Sequence, residues 1–492
     1  MRGNIANRRV AVPLRQCWKL PRRLFRAVTH KKCSPGLIRI CLLCALALTL
    51  TVRASAEWKE KVLYRFQGGT SDGSVPSGGV VFDPQGNLYG ATTDGGPVSC
   101  APIGYACGTV FQLSPPTQKG GSWTESLIYQ FLGKGSNDAS VPNGGPIRDA
   151  AGNLYGVTAY GGTGDCVLLG VPAGCGTVYE LSPPQQQGDA WTETILYSFP
   201  TSKQGYLPNG DLVFDSAGNL YGATTFGGTK GTTCDGFYGG QCGVVFELSP
   251  PRTKGGKWTE KVLHSFAGGI AGTKGGDGAL PNGELVLDSN GAIYGTTYYG
   301  GNAAGDCDGG TEGIGCGTAF KLDPPAEKGG TWTERMLRRF DATDGANPAA
   351  GMTFDSKGNL YGVTEGTLFR LAPPEKSGLW EETILYAFCG GGEGGCGPEG
   401  TLIFDSSGSL YGTTYYGYGS ELYGSVFRLK PAAKKAGKWV IDYLYGFVNA
   451  PDGLYPAARL VFDKAGNLYS TTTGGGRGTC PRYCGTVFEV KP

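Results

Sequence analysis

Histidine, charge and long hydrophobic runs are scarce in this sequence, and each scarcity excludes a class of function. Two histidines occur in 492 residues, His30 and His264. A metal site made of several histidines is therefore excluded, and a Ser-His-Asp triad has weak support. Charged residues amount to 17% with a net charge of +2, so nucleic-acid binding is not expected.

One apolar run, over residues 40–52, lies near the start of the chain, and it is shorter than the about 20 residues of a membrane span. Basic residues precede this run. Ala54-Ser55-Ala56 follows it and has the A-x-A form of a cleavage site. We therefore predict a signal peptide over residues 1–56 and a mature chain without a membrane span. That chain would be secreted, periplasmic or held at the cell surface.

Glycine is abundant, with 87 residues, and aromatic residues reach 11%. Glycine at this level is typical of disordered chains, collagen or turn-rich β proteins. No collagen-like Gly-X-Y period occurs, and the aromatic content is too high for a disordered chain. Since no helical apolar period occurs beyond residue 56, the sequence predicts an all-β fold.

A repeated phrase runs through residues 57–492. Seven of the eight tryptophans begin the same strand-like segment: Trp58, Trp123, Trp191, Trp258, Trp332, Trp380 and Trp439. A hairpin phrase of the form D-x-x-G-N-L-Y-G follows each one, and G-T-V-F or a near copy ends most units. In the third unit the runs are 191–199, 211–215, 219–225 and 243–248. Seven units of four antiparallel strands predict a single seven-bladed β-propeller.

These phrases resemble a known family of repeats. G-N-L-Y-G-T-T and C-G-T-V-F are similar to the tandem GloVer (Gloeobacter–Verrucomicrobium) repeat of exported bacterial proteins, over residues 58–492. The D-x-x-G-N hairpin is also similar to NHL-type propeller repeats. The resemblance implies export and a repeat array, but no particular reaction.

The resemblance to NHL-type blades also implies a strand order. The run ending in Phe-Asp is then the innermost strand a, the Asn-Leu-Tyr run is strand b and the Gly-Thr-Val-Phe run is strand c. The tryptophan run is the outermost strand d. The chain would begin on a d strand and end on a c strand, so the first strand completes the last blade. We predict a 3+1 closure in which residues 58–66 pair with residues 486–490.

This order places the b–c and d–a loops on one face of the ring. The b–c loops are long and differ between blades, so this face is the better candidate for binding. Aromatic residues that suit stacking on sugars or peptides occupy one position after strand b: Tyr160, Phe226, Tyr299 and Tyr416. The alternative is that these rings pack between blades or cover a loop.

Aspartates recur in two places. One set lies in all seven a–b hairpins, which favours a turn. The other set occurs in five d–a loops: Asp72, Asp138, Asp277, Asp344 and Asp452. These form turns, or they ring the channel mouth and bind a cation or act as acid and base. The segment 306–312 is rich in oxygen ligands and allows calcium, although it lacks the EF-hand spacing. No other metal or cofactor is indicated.

The cysteines beyond the predicted signal peptide form six close pairs, five in b–c loops and one in a d–a loop. Their even number and local spacing favour disulfides in an exported protein. Zinc usually requires C-x-x-C spacing, which does not occur in this region. The predicted disulfides are Cys100–Cys107, Cys166–Cys175, Cys234–Cys242, Cys307–Cys316, Cys389–Cys396 and Cys480–Cys484.

Two functions remain open from the sequence. The favoured one is a non-catalytic, monomeric protein that binds an extracellular glycan or protein ligand on the b–c face. The alternative is a secreted carbohydrate hydrolase or lyase with carboxylates at the channel mouth. His264 stands where sister units have a strand tyrosine, and no single blade carries an obvious catalytic set, which favours binding.

Overall fold

The computed structural model describes residues 58–492 with some gaps. The gaps are residues 98, 101–104, 187, 229–233, 235–240, 254, 269–275, 302–306, 308–314, 328, 342, 344, 376–379, 390–394, 418–422, 433–436, 449–451, 477–479 and 481–483. The predicted signal peptide, Asp344 and most of the segment 306–312 lie outside the described residues.

Seven antiparallel sheets follow one another along the chain, and each is one blade of a β-propeller. Within every blade the strands are joined in the order a-b-c-d, as predicted. From blade 1 to blade 7, strands b are Leu88–Gly95, Leu154–Gly161, Leu220–Phe226, Ile293–Tyr299, Leu360–Val363, Leu410–Tyr416 and Leu468–Thr472. Strands c are Thr109–Ser114, Thr177–Ser182, Val244–Ser249, Thr318–Asp323, Thr367–Ala372, Ser425–Lys430 and Thr486–Lys491.

Strands d lie outermost. They are Thr124–Gln130, Thr192–Ser198, Thr259–Ser265, Thr333–Arg339, Glu381–Ala387, Val440–Gly446 and, in blade 7, Lys59–Arg65. The smaller elements are a 3-10 turn at Lys134–Ser136 and the two-residue strands Ser99–Cys100, Tyr105–Ala106, Val167–Leu168, Val171–Pro172 and Gly474–Gly475.

Strand a is continuous in two blades, as Tyr206–Phe214 and Ala279–Leu287. Elsewhere it consists of shorter pieces: Gly73–Pro76 and Val81–Phe82, Ala139–Pro142 and Ile147–Arg148, Thr353–Phe354, Cys396–Pro398 and Ile403–Phe404, Gly453–Leu454 and Val461–Phe462. The sequence predicted only the second half of this strand, from residue 211 in blade 3. The first half was missed because it is rich in glycine and proline, and a register shift follows it, between Asn209 and Val213.

The ring closes between the two ends of the described chain. Lys59–Arg65 pairs antiparallel with Thr486–Lys491, from Lys59 opposite Lys491 to Arg65 opposite Thr486. Blade 7 therefore takes three strands from one end of the chain and one from the other. The predicted 3+1 closure is confirmed, and it pairs the edge of the last c strand.

Two residues of the repeated phrases account for the packing inside each blade. The phenylalanine of G-T-V-F is fully buried, as in Phe246 of blade 3. A Cβ atom on Gly222 of strand b would lie 2.6 Å from that ring, so the L-Y-G phrase needs its glycine. Phe199, which follows strand d of the preceding blade, contacts Phe246 edge-on at 5.2 Å. Equivalent ring contacts, edge-on at five of the seven junctions and tilted at two, join neighbouring blades around the ring at 5.0–5.3 Å. They are one reason why each unit repeats the phrase.

A proline and a left-handed residue join each blade to the one before it. In blade 1 the Val75 amide donates to the Cys484 carbonyl at 2.8 Å. Pro76 packs against Gly485, where a Cβ would lie 2.5 Å from the proline ring and φ is 89°. This contact explains the glycine of C-G-T-V-F. The left-handed residues before the prolines are Val75, Val141, Leu207, Leu280, Asn347 and Tyr455.

The hairpin aspartates are turn residues. Asp215 Oδ1 accepts hydrogen bonds from the amides of Ala217 and Asn219 at 2.8 and 2.9 Å. Its Oδ2 accepts from the Asn219 side chain at 2.7 Å and from the Tyr221 hydroxyl at 3.1 Å. The equivalent aspartates are Asp83, Asp149, Asp288, Asp355, Asp405 and Asp463.

The six disulfides are formed in the predicted pairs, which confirms the pairing: Cys100–Cys107, Cys166–Cys175, Cys234–Cys242, Cys307–Cys316, Cys389–Cys396 and Cys480–Cys484. In five of them the second cysteine directly precedes the glycine that opens strand c. That cysteine is fully buried, as at Cys175 and Cys242. Each of these disulfides therefore fixes a b–c loop at a junction between two blades.

Candidate ligand-binding site at the channel mouth

The four described d–a aspartates close their own loops. Asp72 accepts hydrogen bonds from the amides of Gln67 and Gly73, both at 2.7 Å, and from the Tyr64 hydroxyl at 3.1 Å. His264 takes the place of the tyrosine in one such cluster and contacts Asp277 at 3.1 Å. None of the four lines the central channel. Their contacts are those of turns tied to an outer strand: Asp72, Asp138, Asp277 and Asp452.

A glutamate from the d strand of the next blade lies beside these aspartates. Burial raises the pKa of Glu60 to about 8, and the charge of Asp452 adds to the shift. Burial and Asp138 likewise raise the pKa of Glu193 to about 8. The outer junctions between blades therefore contain carboxyl pairs that hold protons at neutral pH.

The four aromatic candidates lie in different environments. Phe226 is buried, and both Phe226 and Tyr160 contact the Tyr206 ring, with centroids 6.3 and 6.4 Å apart. Tyr299 is half-buried. Tyr416 is 56% exposed, the most open of the four. Phe226, Tyr160 and Tyr299 thus pack against the protein, which agrees with the alternative that these rings pack between blades or cover a loop.

The centre of the ring is a channel to which all seven blades contribute. Its cavity volume is about 270 Å³. The lining comes from the segment that follows the proline of strand a in each blade, as residues 77–79, 143–144, 209–211, 282, 284, 349–350, 399–401 and 457–459. Strand a runs from the d–a face to the a–b hairpin, so the first residue of each segment is nearest the mouth on the b–c face.

An ion bridge crosses the deeper part of this channel. The third lining residue is charged in three blades only, as Asp211, Glu284 and Arg459. Arg459 Nη1 lies 3.1 Å from Glu284 Oε2, and Nη2 lies 3.4 Å from Asp211 Oδ2. The Gly145 amide donates to Asp211 Oδ1 at 2.5 Å. Because blade 7 lies opposite blades 3 and 4 in a seven-membered ring, Arg459 joins the two sides.

Burial and neighbouring charges shift the pKa values of the side chains in the bridge. Burial raises the pKa of Glu284 and the charge of Asp211 adds to the rise, while Arg459 opposes it. The charge of Glu284 in turn helps to raise the pKa of Arg459. Burial and the mutual charges of these side chains therefore act together on the pKa values of Glu284 and Arg459.

Side-chain amides cover one side of the mouth. At the first lining position, Asn209 donates to the Asn282 side-chain oxygen at 2.9 Å, and Asn282 donates to the Ala349 carbonyl at 3.2 Å. Blade 6 breaks this pattern with Glu399. Burial raises the pKa of Glu399 to about 7, and the neighbouring charge of Glu365 adds to the rise.

Three consecutive blades place large polar side chains above Glu399. The sixth position of strand b holds Tyr298 in blade 4 and Tyr415 in blade 6, and Glu365 takes the matching place in the short blade 5. The Tyr298 hydroxyl donates to the Glu365 carboxylate. Tyr415 has a raised pKa because of burial and the charge of Glu399, and its ring stacks on Tyr455 at 4.9 Å. We call these five residues the mouth cluster: Tyr298, Glu365, Glu399, Tyr415 and Tyr455.

Among the described residues, the matching positions on the opposite side of the mouth hold small or aliphatic side chains. The sixth position of strand b is Thr93, Ala159 and Thr225 in blades 1 to 3. The left-handed residues of these blades are the aliphatic Val75, Val141 and Leu207, where blade 7 has Tyr455. The site is therefore built on blades 4 to 7.

The mouth cluster lies on the face that the sequence analysis favoured for binding, but its two glutamates, Glu365 and Glu399, were not among the candidates from the sequence. The signal was present in the repeats. Comparing the residue after each d–a proline shows one acidic residue, Glu399, among serine, asparagine and alanine.

Among the described residues, no group of three or more His, Cys, Asp or Glu side chains is arranged to hold a metal ion. No helix in that part of the chain is long and apolar enough to cross a membrane. What the mouth cluster offers is two carboxyl groups, several phenol hydroxyls and stacked aromatic faces around a closed-off channel.

Residues 167–396 match the family model of the Gloeobacter/Verrucomicrobia repeat. This match confirms, over these residues, the resemblance expected from the sequence. No curated protein matches the chain in sequence.

Solved structures resemble the chain at low identity and with TM-scores under 0.5. The extracellular domain of a protein described as a hybrid two-component system, from B. thetaiotaomicron, is 13% identical with a TM-score of 0.44, covering 85% of this chain and 39% of that one. The chain thus spans about two fifths of the length of that domain. A Trichoderma reesei carbohydrate-active enzyme of family AA12 is 11% identical with a TM-score of 0.41, covering 89% and 96%. A Xanthomonas campestris gluconolactonase is 13% identical with a TM-score of 0.35, covering 73% and 86%. These likenesses carry no argument about function.

Proposed function

We propose that the protein is an exported, monomeric binding protein that holds an uncharged extracellular glycan in the mouth cluster. The observation that carries the proposal is the convergence of Tyr298, Glu365, Glu399 and Tyr415 from three consecutive blades. Sugar rings stack on aromatic faces, and their hydroxyls need partners that both donate and accept hydrogen bonds.

The chemistry of Glu399 favours an uncharged ligand. With its pKa at about 7, its carboxyl is partly protonated at neutral pH and both donates and accepts. Glu365 lies above it as a second acceptor for sugar hydroxyls. The two acidic groups would repel an anionic ligand at this point, whereas they would not repel a neutral glycan.

A glycan array followed by titration calorimetry tests the proposal. We expect Tyr415→Ala to weaken binding about tenfold or more, because it removes both a stacking face and a hydroxyl. Thr225→Ala changes the same strand position in blade 3 and is the matched control, with no expected effect. Absence of glycan binding by the unaltered protein, or equal losses in both variants, would contradict the proposal.

A second candidate function, carbohydrate hydrolysis, is favoured by one observation. Glu399 has a raised pKa beside a second carboxylate, Glu365, and such pairs supply the acid and the base or nucleophile of glycosidases. Release of reducing sugars from the glycan that the array identifies would establish it. Glu399→Gln should then abolish release while binding persists. If the unaltered protein releases no sugar, the binding function stands alone.

A further inference from the structure

On a second surface of the ring, one blade departs from the repeated pattern of side-chain pairs, and this departure points to a ligand. The fourth residue of strand c is polar in every blade, and in six blades the structure pairs it with a serine or with an oppositely charged side chain. Gln112 bonds Ser114, Glu180 bonds Ser182 and Glu247 bonds Ser249, at 2.8–3.0 Å. The three other pairs are Lys321–Asp323, Arg428–Asp442 and Lys491–Glu489.

Blade 5 is the exception. Its fourth residue is Arg370, but the partner position two residues on is Ala372, and the facing position of strand d is Thr383. The Thr383 hydroxyl accepts one hydrogen bond from Arg370 Nη2 at 3.0 Å. Arg370 also interacts with the Tyr361 hydroxyl, but its Nε is buried without an acceptor, and among the described residues Arg370 forms no ion pair. A buried guanidinium N–H without an acceptor is costly, so the missing acceptor of Nε calls for an explanation.

A cavity of about 700 Å³ opens beside this arginine. It lies between blades 5 and 6 at the end that carries the a–b hairpins, on the opposite face from the mouth cluster. Tyr361 and Trp439 form an aromatic wall, with ring centroids 6.2 Å apart. Asn359 and Ser407 add polar groups to the lining.

The missing partner is a carboxylate in the two most similar blades. Asp323 pairs with Lys321 in blade 4, and Asp442 pairs with Arg428 in blade 6, both at 2.7 Å. Asp355 also lines the cavity of blade 5. Burial opposes its ionisation, but hydrogen bonds within its hairpin outweigh burial, lower its pKa and engage both of its oxygens.

We propose that this groove binds a uronate residue of an acidic polysaccharide, whose carboxylate pairs with Arg370 in the place that Asp442 takes in blade 6. The sugar ring then lies against Trp439, and its hydroxyls reach Asn359 and Ser407. Because the lining has no net charge overall, the attraction for a uronate depends on the contact with Arg370 itself. Charge-assisted hydrogen bonds between arginine and carboxylate are about twice as strong as neutral ones. The inference is independent of the proposed function because the two sites share no residue.

Titration of the full chain with trigalacturonate, beside its carboxyl-reduced neutral analogue, tests the proposal at low ionic strength. We expect trigalacturonate to bind about tenfold or more tightly than the analogue. Ala372→Asp supplies the carboxylate that the sister blade has, so it should occupy Arg370 and abolish this preference without unfolding the blade. Arg370→Gln should abolish it as well.

Arg428→Gln is the matched control, since the carboxylate partner of Arg428 is Asp442 and the preference for trigalacturonate should remain. Tyr415→Ala at the mouth should also leave it unchanged, which separates this site from the proposed function. Equal binding of the two trisaccharides, or a preference that survives in both Ala372→Asp and Arg370→Gln, would overturn the proposal. Equally tight, Arg370-dependent binding of an oligoglutamate peptide would overturn the assignment to a polysaccharide.

Discussion

The two ends of strand b differ in what they hold. At the second position a tyrosine is present in all seven blades, and its hydroxyl donates to the hairpin aspartate at 3.0–3.2 Å each time. At the sixth position the residue changes from threonine or alanine to Tyr298, Glu365 and Tyr415. The first end stabilises each blade from within, so its residues recur. The second end borders the channel mouth, where the residue can differ between blades without loss of these internal contacts.

The residues that line the channel also differ between the blades. Four blades place small residues at the third lining position, while three supply the bridge of Asp211, Glu284 and Arg459. Departures from the repeat thus supply both the bridge and the mouth cluster. The recurrent aspartates of the d–a loops, by contrast, serve their own loops.

Removing the bridge should have the largest effect on stability. Arg459→Met leaves Asp211 as a buried charge without its partner, and we expect a loss of about 3 kcal/mol in the free energy of unfolding. Urea denaturation measures this loss. Arg428→Met, which removes a half-exposed ion pair, is the control and should cost less than about 1 kcal/mol. Similar losses in the two variants would show that the bridge is not special.

Damage at the repeated end of strand b should affect folding and spare binding. Asp215→Ala removes the carboxylate that accepts four hydrogen bonds, and we expect the free energy of unfolding to fall by about 2 kcal/mol. Asp215→Asn keeps one acceptor oxygen and should lose less. Glycan affinity at the mouth should be unchanged in both variants. A change in affinity without a change in stability would reverse the assignment of the two ends.

The carboxyl pairs at the outer junctions predict how stability depends on pH. The pKa values of Glu60 and Glu193 rise from 4.5 to about 8, and those of Glu125 and Glu260 rise to about 7. Because the folded chain holds these protons more tightly than the unfolded chain, their stabilisation is complete below pH 4.5 and is lost as the pH rises through 7 to 8.

Thermal melting should therefore show a Tm several degrees lower at pH 9 than at pH 5.5. Glu193→Gln should flatten part of this decrease, because the amide cannot ionise. A Tm that is constant or rises over this range would refute the carboxyl pairs.

The smallest effect is expected at His264. His264→Tyr restores the residue that sister blades carry, as at Tyr64, which donates to Asp72 at 3.1 Å. We expect stability to change by less than about 0.5 kcal/mol at pH 7. A loss of ligand binding in this variant would assign the histidine a function that its contacts do not suggest.

The ring, its closure and the disulfides were predictable from the sequence because they depend on residues that recur at a fixed period. The signal peptide and the ligand remain predictions. The mouth cluster was not predicted, since it depends on which blade carries an exception at a given position. The short loop of blade 5 brings Glu365 level with Tyr298 and Tyr415, and the raised pKa of Glu399 arises from burial in the folded ring.

The d–a aspartates show the opposite case. Their recurrence left two interpretations open, turns or a ring around the channel mouth. Asp72 bonds Tyr64 on the outermost strand, as expected of a turn, because the loop turns back on the strand that precedes it. The calcium-like segment 306–312 lies mostly outside the described residues and stays a prediction.

Hydrogen–deuterium exchange, with and without the glycan that the array identifies, tests the central claim most directly. If the ligand occupies the mouth cluster, slower exchange should be confined to residues 293–299, 365–367, 399–401, 410–417 and 453–455. The same strand positions of blades 1 to 3, in residues 88–95, 154–161 and 220–226, should be unaffected. Protection spread evenly over all seven blades, or centred on blades 1 to 3, would contradict the account.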